Sequence, residues 1–199
     1  MNYKCTVFYD YLCPFCNQIM KWLDIIEKSD RVNLSIDWKV LSLEQINQNQ
    51  GEDFKVWEHP DYPARGIQAL AAAKAAIKQG QSSFNKFHRL IFEAYHHQGK
   101  DIRKKAVLLE IALEAGLDIE RFEKDLDLKE TIQGIEDDYK EAKQSYNLFG
   151  VPSFVFENDE AIYVKLESVP RTEEESIKML EHLFHMGLNM PYLLELKRP

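Results

Sequence analysis

Cysteine is scarce in this chain: three residues in 199, at positions 5, 13 and 16. So few thiols exclude a disulfide framework as the device that holds the fold together. Clustered positive charge is also missing. The formal net charge is −8 and the longest basic run is "RKK" at 103–105. This argues against nucleic acid or an anionic membrane as the main partner, since both are bound by grouped Lys and Arg. No apolar stretch approaches the length of a membrane span. The opening "MNYKCTVFYDYLC" passes straight into mixed, strand-like sequence, without the basic and then apolar regions of a secretory signal, so a cytoplasmic location is expected. No segment repeats at a fixed period, so a solenoid is not expected. With 45% hydrophobic and 29% charged residues, and few Gly and Pro, the chain has the composition of an ordinary globular domain.

Three kinds of pattern follow one another. Residues 3–9, "YKCTVFY", are β-branched and aromatic and predict a strand. From Cys13 the spacing turns helical, with Cys16, Ile19, Met20, Leu23 and Ile26 on one face. At 32–40 Val32, Leu34, Ile36, Trp38 and Val40 alternate with polar residues, which predicts a second strand and hence a βαβ unit. Residues 41–62 read as irregular, with "HPDYP" at 59–63 as a turn. A helical block runs from there to about Leu148, with Ser82 or Ser83 and Asp101 as candidate caps, Gly80 and Gly116 as stops, then a short helix from Asp118 and a longer one up to Asn147. Strand character returns at Ser153–Glu157 and Ala161–Glu167 around the turn residues Asn158 and Asp159. A last helix opens at Thr172, with Glu175 placed for a capping box.

The most informative stretch is "CPFC" at 13–16, where the first strand gives way to a helix. Two cysteines at this spacing suit either half of a zinc site or a redox pair. A structural zinc needs four ligands, and the remaining candidates are Cys5 and His182 with His185, without a second CxxC. Asp10 could relay a proton, or simply end the strand in a turn. Tyr9, Tyr11 and Phe15 could line an apolar rim around the thiols or belong to the core. Cys5 is expected in the core as a small hydrophobe.

A strand running into "CPFC", then "GVPSFVF" opening a hairpin and a terminal helix, resembles the DsbA-like branch of the thioredoxin superfamily. Within it the chain is similar to FrnE-like cytoplasmic oxidoreductases and mycothiol-dependent nitroreductases, which often share the "Tyr…Lys-Arg-Pro" tail. The resemblance implies an α/β thioredoxin fold formed by residues 1–60 and 149–199, with an all-helical insertion at 61–148 between the second and third strands. It implies thiol–disulfide exchange through Cys13 and Cys16. It also implies that Pro152 is cis and faces the thiols, and that Pro14, Phe15, Val151 and Pro152 lie on the substrate side. No bound cofactor is implied, and no metal. Glutathione or another low-molecular-weight thiol would be the reductant, and the partner a disulfide-containing protein or small molecule. Two other functions fit the same architecture: a low-molecular-weight-thiol-dependent reductase or transferase, of nitroreductase or kappa-class glutathione transferase type, and a non-catalytic adaptor.

The physical chemistry of the pair agrees with exchange. An ordinary Cys thiol is mostly protonated at neutral pH, and disulfide exchange needs the thiolate. At a helix start, Cys13 meets unpaired N–H groups and the positive end of the helix dipole. Pro14 suits the first turn because it needs no N–H partner there. Cys16, one turn on and deeper on the apolar face, would be the resolving thiol.

Overall fold

The computed structural model describes residues 2–195, apart from 52 and 60, together with residue 197. Four strands form one sheet in the order β2-β1-β3-β4. Strand β1 (Asn2–Tyr9) leads into helix α1 (Pro14–Glu27) and then into β2 (Asn33–Val40), which pairs with β1 in parallel. Strand β3 (Ser153–Val155) joins the other side of β1 antiparallel, and β4 (Ala161–Tyr163) pairs with β3 antiparallel. Helix α8 (Glu173–Asn189) closes the chain.

The pleat of β1 sorts two cores. Cys5 and Val7 point to one face, where Trp22, Leu23 and Ile26 of α1 pack with Leu180, Leu183 and Phe184 of α8. Phe8 points to the other, larger cluster, which the helices between β2 and β3 complete. Those are α2 (Leu43–Asn47), α3 (Ile67–Ile77), α4 (Gln81–His96), α5 (Lys105–Ala115), α6 (Ile119–Leu126) and α7 (Lys129–Lys140). The α/β fold with an all-helical insertion is therefore present as expected. Buried Asp138 of α7 anchors the insertion to the sheet: its carboxylate accepts from the backbone N–H of Val40 at 2.8 Å and pairs with Lys74 of α3. On the other side Arg89 of α4 pairs with Asp24 (2.8 Å) and with Glu27 of α1.

Several local expectations need correction. The stretch 41–62 is not wholly irregular: Ser42 caps α2 by accepting from Gln45 N at 3.2 Å. The S-x-x-Q pattern was the available signal. Neither Ser82 nor Ser83 caps α4, which starts at Gln81 behind Gly80. Asp101 is bound to Arg103 in a turn, and α5 begins only at Lys105. The long helix ends at Lys140 in a wider turn over Glu141–Ser145. The hairpin strands are three residues each, shorter than their apolar runs. The short helix α6 starts after Asp118, whose side chain caps it, and Thr172 with Glu175 forms the capping box as expected. In "HPDYP", Pro60 lies outside the described residues; Tyr62 N donates to His59 O at 2.9 Å across that turn. Arg198 and Pro199 of the tail also lie outside them.

Helix α8 approaches the sheet at Gly187, where an added Cβ would stand 2.1 Å from the Phe156 ring. Gly187→Ala should therefore cost about 2–3 kcal/mol through overpacking, although Ala is the better helix former by about 1 kcal/mol. A urea midpoint equal to or above that of the parent protein would show that α8 can slide away from Phe156.

Candidate redox site

Cys13 occupies the cap position of α1 with extended backbone (φ −80°, ψ 116°), and Pro14 follows as the first helical residue. The Cys13 N–H donates to Asp10 O at 3.1 Å, and Asn17 N donates to Cys13 O at 3.2 Å, so the thiol's backbone is held from both sides. Cys13 and Cys16 are free thiols, 3% and 2% exposed. Their acidities are pushed apart. The S–H of Cys16 donates to Cys13 and, helped by the N–H groups of Cys16 and Phe15, brings the Cys13 pKa down to about 7 against the opposing effect of burial. Burial, together with donation to Cys13, raises Cys16 well above an ordinary thiol. Cys5 is a core residue whose burial pushes its pKa up to about 12.

Across from this turn runs the segment entering β3. The Val151–Pro152 peptide bond is cis. As a thiol, Cys13 Sγ donates to the carbonyl of Val151 at 3.5 Å, although 138 residues separate them. Ser153 Oγ donates to Gly150 O at 2.8 Å, and Val164 N donates to Pro152 O at 3.0 Å, so the loop is fastened at both ends. Pro14 is exposed, Phe15 half-buried, and Val151 and Pro152 buried. A strand, a CxxC helix start and a Val-Pro loop are thus in contact. The family model of the DSBA-like thioredoxin domain matches residues 4–171.

The chain belongs to that family. DSBA-like architecture is also what the solved structures share with it. Cytosolic disulfide reductase DsbM from Pseudomonas aeruginosa superimposes with a TM-score of 0.63 at 17% identity, over 91% of this chain and 98% of DsbM. DsbM has also been solved with GSH. Oxidoreductase DsbA from Xylella fastidiosa gives a TM-score of 0.56 at 16% identity, over 92% of this chain and 84% of that one. At such identities the likeness is one of fold. The ClpXP adapter protein SpxH of Bacillus subtilis is 36% identical over 93 residues, 46% of this chain and 31% of SpxH. The match thus spans about a third of that relative's length.

Around the DSBA-like thiols, the structure assigns places that the sequence left open. Asp10 is fully buried, not merely a turn residue: it accepts from Leu12 N at 2.8 Å and from Leu43 N at 2.7 Å, and burial raises its pKa to about 6. Tyr9 and Tyr11 belong to the core and not to a rim. Tyr9 OH donates to Tyr11 OH (3.4 Å), which lies 2.9 Å from Nδ1 of buried His88. His96 Nε2 donates to Tyr11 O at 2.8 Å, and His97 Nε2 lies 3.2 Å from the Asn17 amide, so the end of α4 is fastened to the thiol turn. The sequence offered no signal for these two histidines, because their partners lie 80 and 85 residues away. Among the described residues no three His, Cys, Asp or Glu side chains gather as a metal site, and His182 and His185 are exposed on α8. No helix among the described residues is long and apolar enough to cross a membrane.

Proposed function

We propose that this chain is a thiol–disulfide oxidoreductase working through Cys13 and Cys16. The observation that carries the reading is the opposed acidity of two adjacent thiols at one helix start, with Cys13 near pH 7 and Cys16 far above it. Cys13 as thiolate attacks one sulfur of a substrate disulfide, forming a mixed disulfide and releasing the other sulfur as a thiol after it takes a proton. Cys16 then loses its proton and attacks Cys13 Sγ, so the second substrate sulfur leaves and an intramolecular disulfide remains. Two electrons pass to the substrate. Two molecules of a low-molecular-weight thiol such as glutathione return the pair to the dithiol and leave as their own disulfide. Val151 and Pro152 form the wall against which an extended substrate segment lies, with Pro14 and Phe15 opposite. A cytoplasmic setting suits this direction of transfer.

Redox titration of the pair in glutathione buffers, followed by alkylation and mass spectrometry, tests the proposal. One reversible two-electron transition is expected, absent in Cys13→Ser. Thiols that stay reduced across the whole glutathione range would overturn it.

The partial identity to SpxH favours a second reading, in which the fold serves as a protein-binding adaptor. In cells lacking this chain, the Cys13→Ser/Cys16→Ser variant would then restore the wild-type phenotype in full. Under the redox reading it restores nothing.

A further inference from the structure

Lys165 follows β4 immediately beyond the residue whose N–H bonds to Pro152 O. Its side chain is exposed and its ammonium returns over the Phe15 ring, 4.7 Å from the centroid, two residues past Cys13. The same ammonium lies 5.4 Å from the Tyr163 ring centroid, and Tyr163 meets Phe149, which is 68% exposed, in a tilted contact with centroids 4.9 Å apart. Three aromatic rings and one cation thus cluster beside the CxxC turn, through Phe15, and beside the Val151–Pro152 loop, to which Val164 is bonded. Lys39, Lys55, Lys74 and Lys105 are each neutralised by a carboxylate. Among the described residues no carboxylate forms an ion pair with Lys165, as is also true of Lys21 and Lys86, and its ammonium lies against two rings. The carboxyl nearest the thiols, Asp10, is buried and turned to backbone N–H groups. An exposed positive charge beside the CxxC turn, on a chain of net charge −8, has a use if the incoming disulfide is negative.

From this placement, and resting on the oxidoreductase reading above, we infer that Lys165 is a specificity-determining residue that receives a carboxylate of the substrate disulfide. Aromatic contacts hold the ammonium without neutralising it. The chain therefore exchanges with anionic disulfides in preference to cationic ones. The covalent steps remain those already given, and Lys165 takes no proton in them.

The test is a rate series for reduced protein with three small disulfides: dithiodipropionate (anionic), cystamine (cationic) and hydroxyethyl disulfide (neutral). Dividing each rate by the neutral one removes any effect of Lys165 on the Cys13 thiolate. Comparing variants removes the intrinsic reactivity of each disulfide. In K165E the normalised rate for the anionic disulfide should fall roughly fivefold at low salt, the scale of one exposed ion pair. The rate for cystamine should rise, K165Q should lie between, and salt should shrink every difference. The control is K86E, an equal change of net charge on α4 ten residues, about 15 Å of helix, before His96. Normalised rates that do not move in K165E, or that move equally in K86E, overturn the inference while leaving exchange itself intact. Failure of every variant and of the parent to exchange any disulfide would instead sink the oxidoreductase reading, and this inference with it. Oxidised glutathione and a disulfide-linked peptide with Asp beside its cysteine, run in parallel, show the source of the carboxylate by which one slows more in K165E.

Discussion

Cys16→Ala should move the ionisation of Cys13 upward by about one pH unit, because it removes the donor that contributes most to holding the thiolate. The backbone N–H groups of Cys16 and Phe15 remain, so the shift falls short of an ordinary thiol. Lower acidity has two opposite consequences. Less thiolate is present at low pH, but each thiolate is a better nucleophile, by roughly threefold per pKa unit. Alkylation of Cys13 should therefore be about threefold slower than in the parent at pH 6 and about threefold faster at pH 9, so the two profiles cross. Cys16→Ser retains an O–H donor and should sit between them. Cys5 and Cys16 do not confuse the readout, since burial weakens the acidity of both thiols, pushing Cys5 up to about 12 and Cys16 well above an ordinary thiol. Parallel profiles with a common midpoint would mean that the helix start alone, and not Cys16, sets the acidity of Cys13.

The second large effect lies away from the thiols, at His88. Its ring is 1% exposed, among Tyr9, Trp38, Phe84 and Phe92, with centroids 4.4, 4.5, 5.2 and 5.1 Å away. Tyr11 OH takes Nδ1, and among the described residues Nε2 has no hydrogen-bond partner. Burial, with Arg89 adding to it, pushes the pKa down to about 3. Unfolded, the imidazole takes a proton near pH 6.5. As pH falls below that value the unfolded state binds the proton first, so stability is lost and continues to be lost until the folded pKa is reached. Between pH 6.5 and 4.5 the loss from this residue is about 2.5 kcal/mol. Asp10 acts in the opposite sense: its raised pKa, about 6, means that the folded state takes a proton first and gains stability as pH falls from there toward the unfolded value. Comparing His88→Phe with the parent cancels that contribution. Urea unfolding at pH 7 and pH 4.5 should show a gap between the two proteins that shifts in favour of the variant by about 2.5 kcal/mol on acidification. An unchanged gap would mean that His88 is charged or solvated in the folded chain.

Much of the site was legible because it is local. Cys13, Pro14 and Cys16 lie within one turn, and their relation follows from helix geometry as soon as a helix starts there. The βαβ opening, the box at Thr172 and Glu175 and the stop at Gly116 likewise depend on neighbours within a few residues. Contacts between distant segments had no local signal. Glu44 of α2 accepts from Arg65 N at 2.8 Å and Gly66 N at 2.9 Å, and so ties down the two residues leading into α3 across more than twenty residues of chain. The hairpin strands stop early although their apolar pattern continues, because burial and not backbone pairing uses the rest of it.

By itself, then, the sequence determined the order of elements, the place of the thiol pair and which cysteine heads the helix, since each rests on periodicity and on residues within one turn. The tertiary structure decided that Asp10 is held by Leu12 and Leu43 and that Lys165 comes over Phe15, and it brings Val151, which the family resemblance placed on the substrate side, against Cys13. Those contacts join segments up to about 150 residues apart. No local propensity encodes them, because they exist only once burial of the two cores has closed the intervening chain.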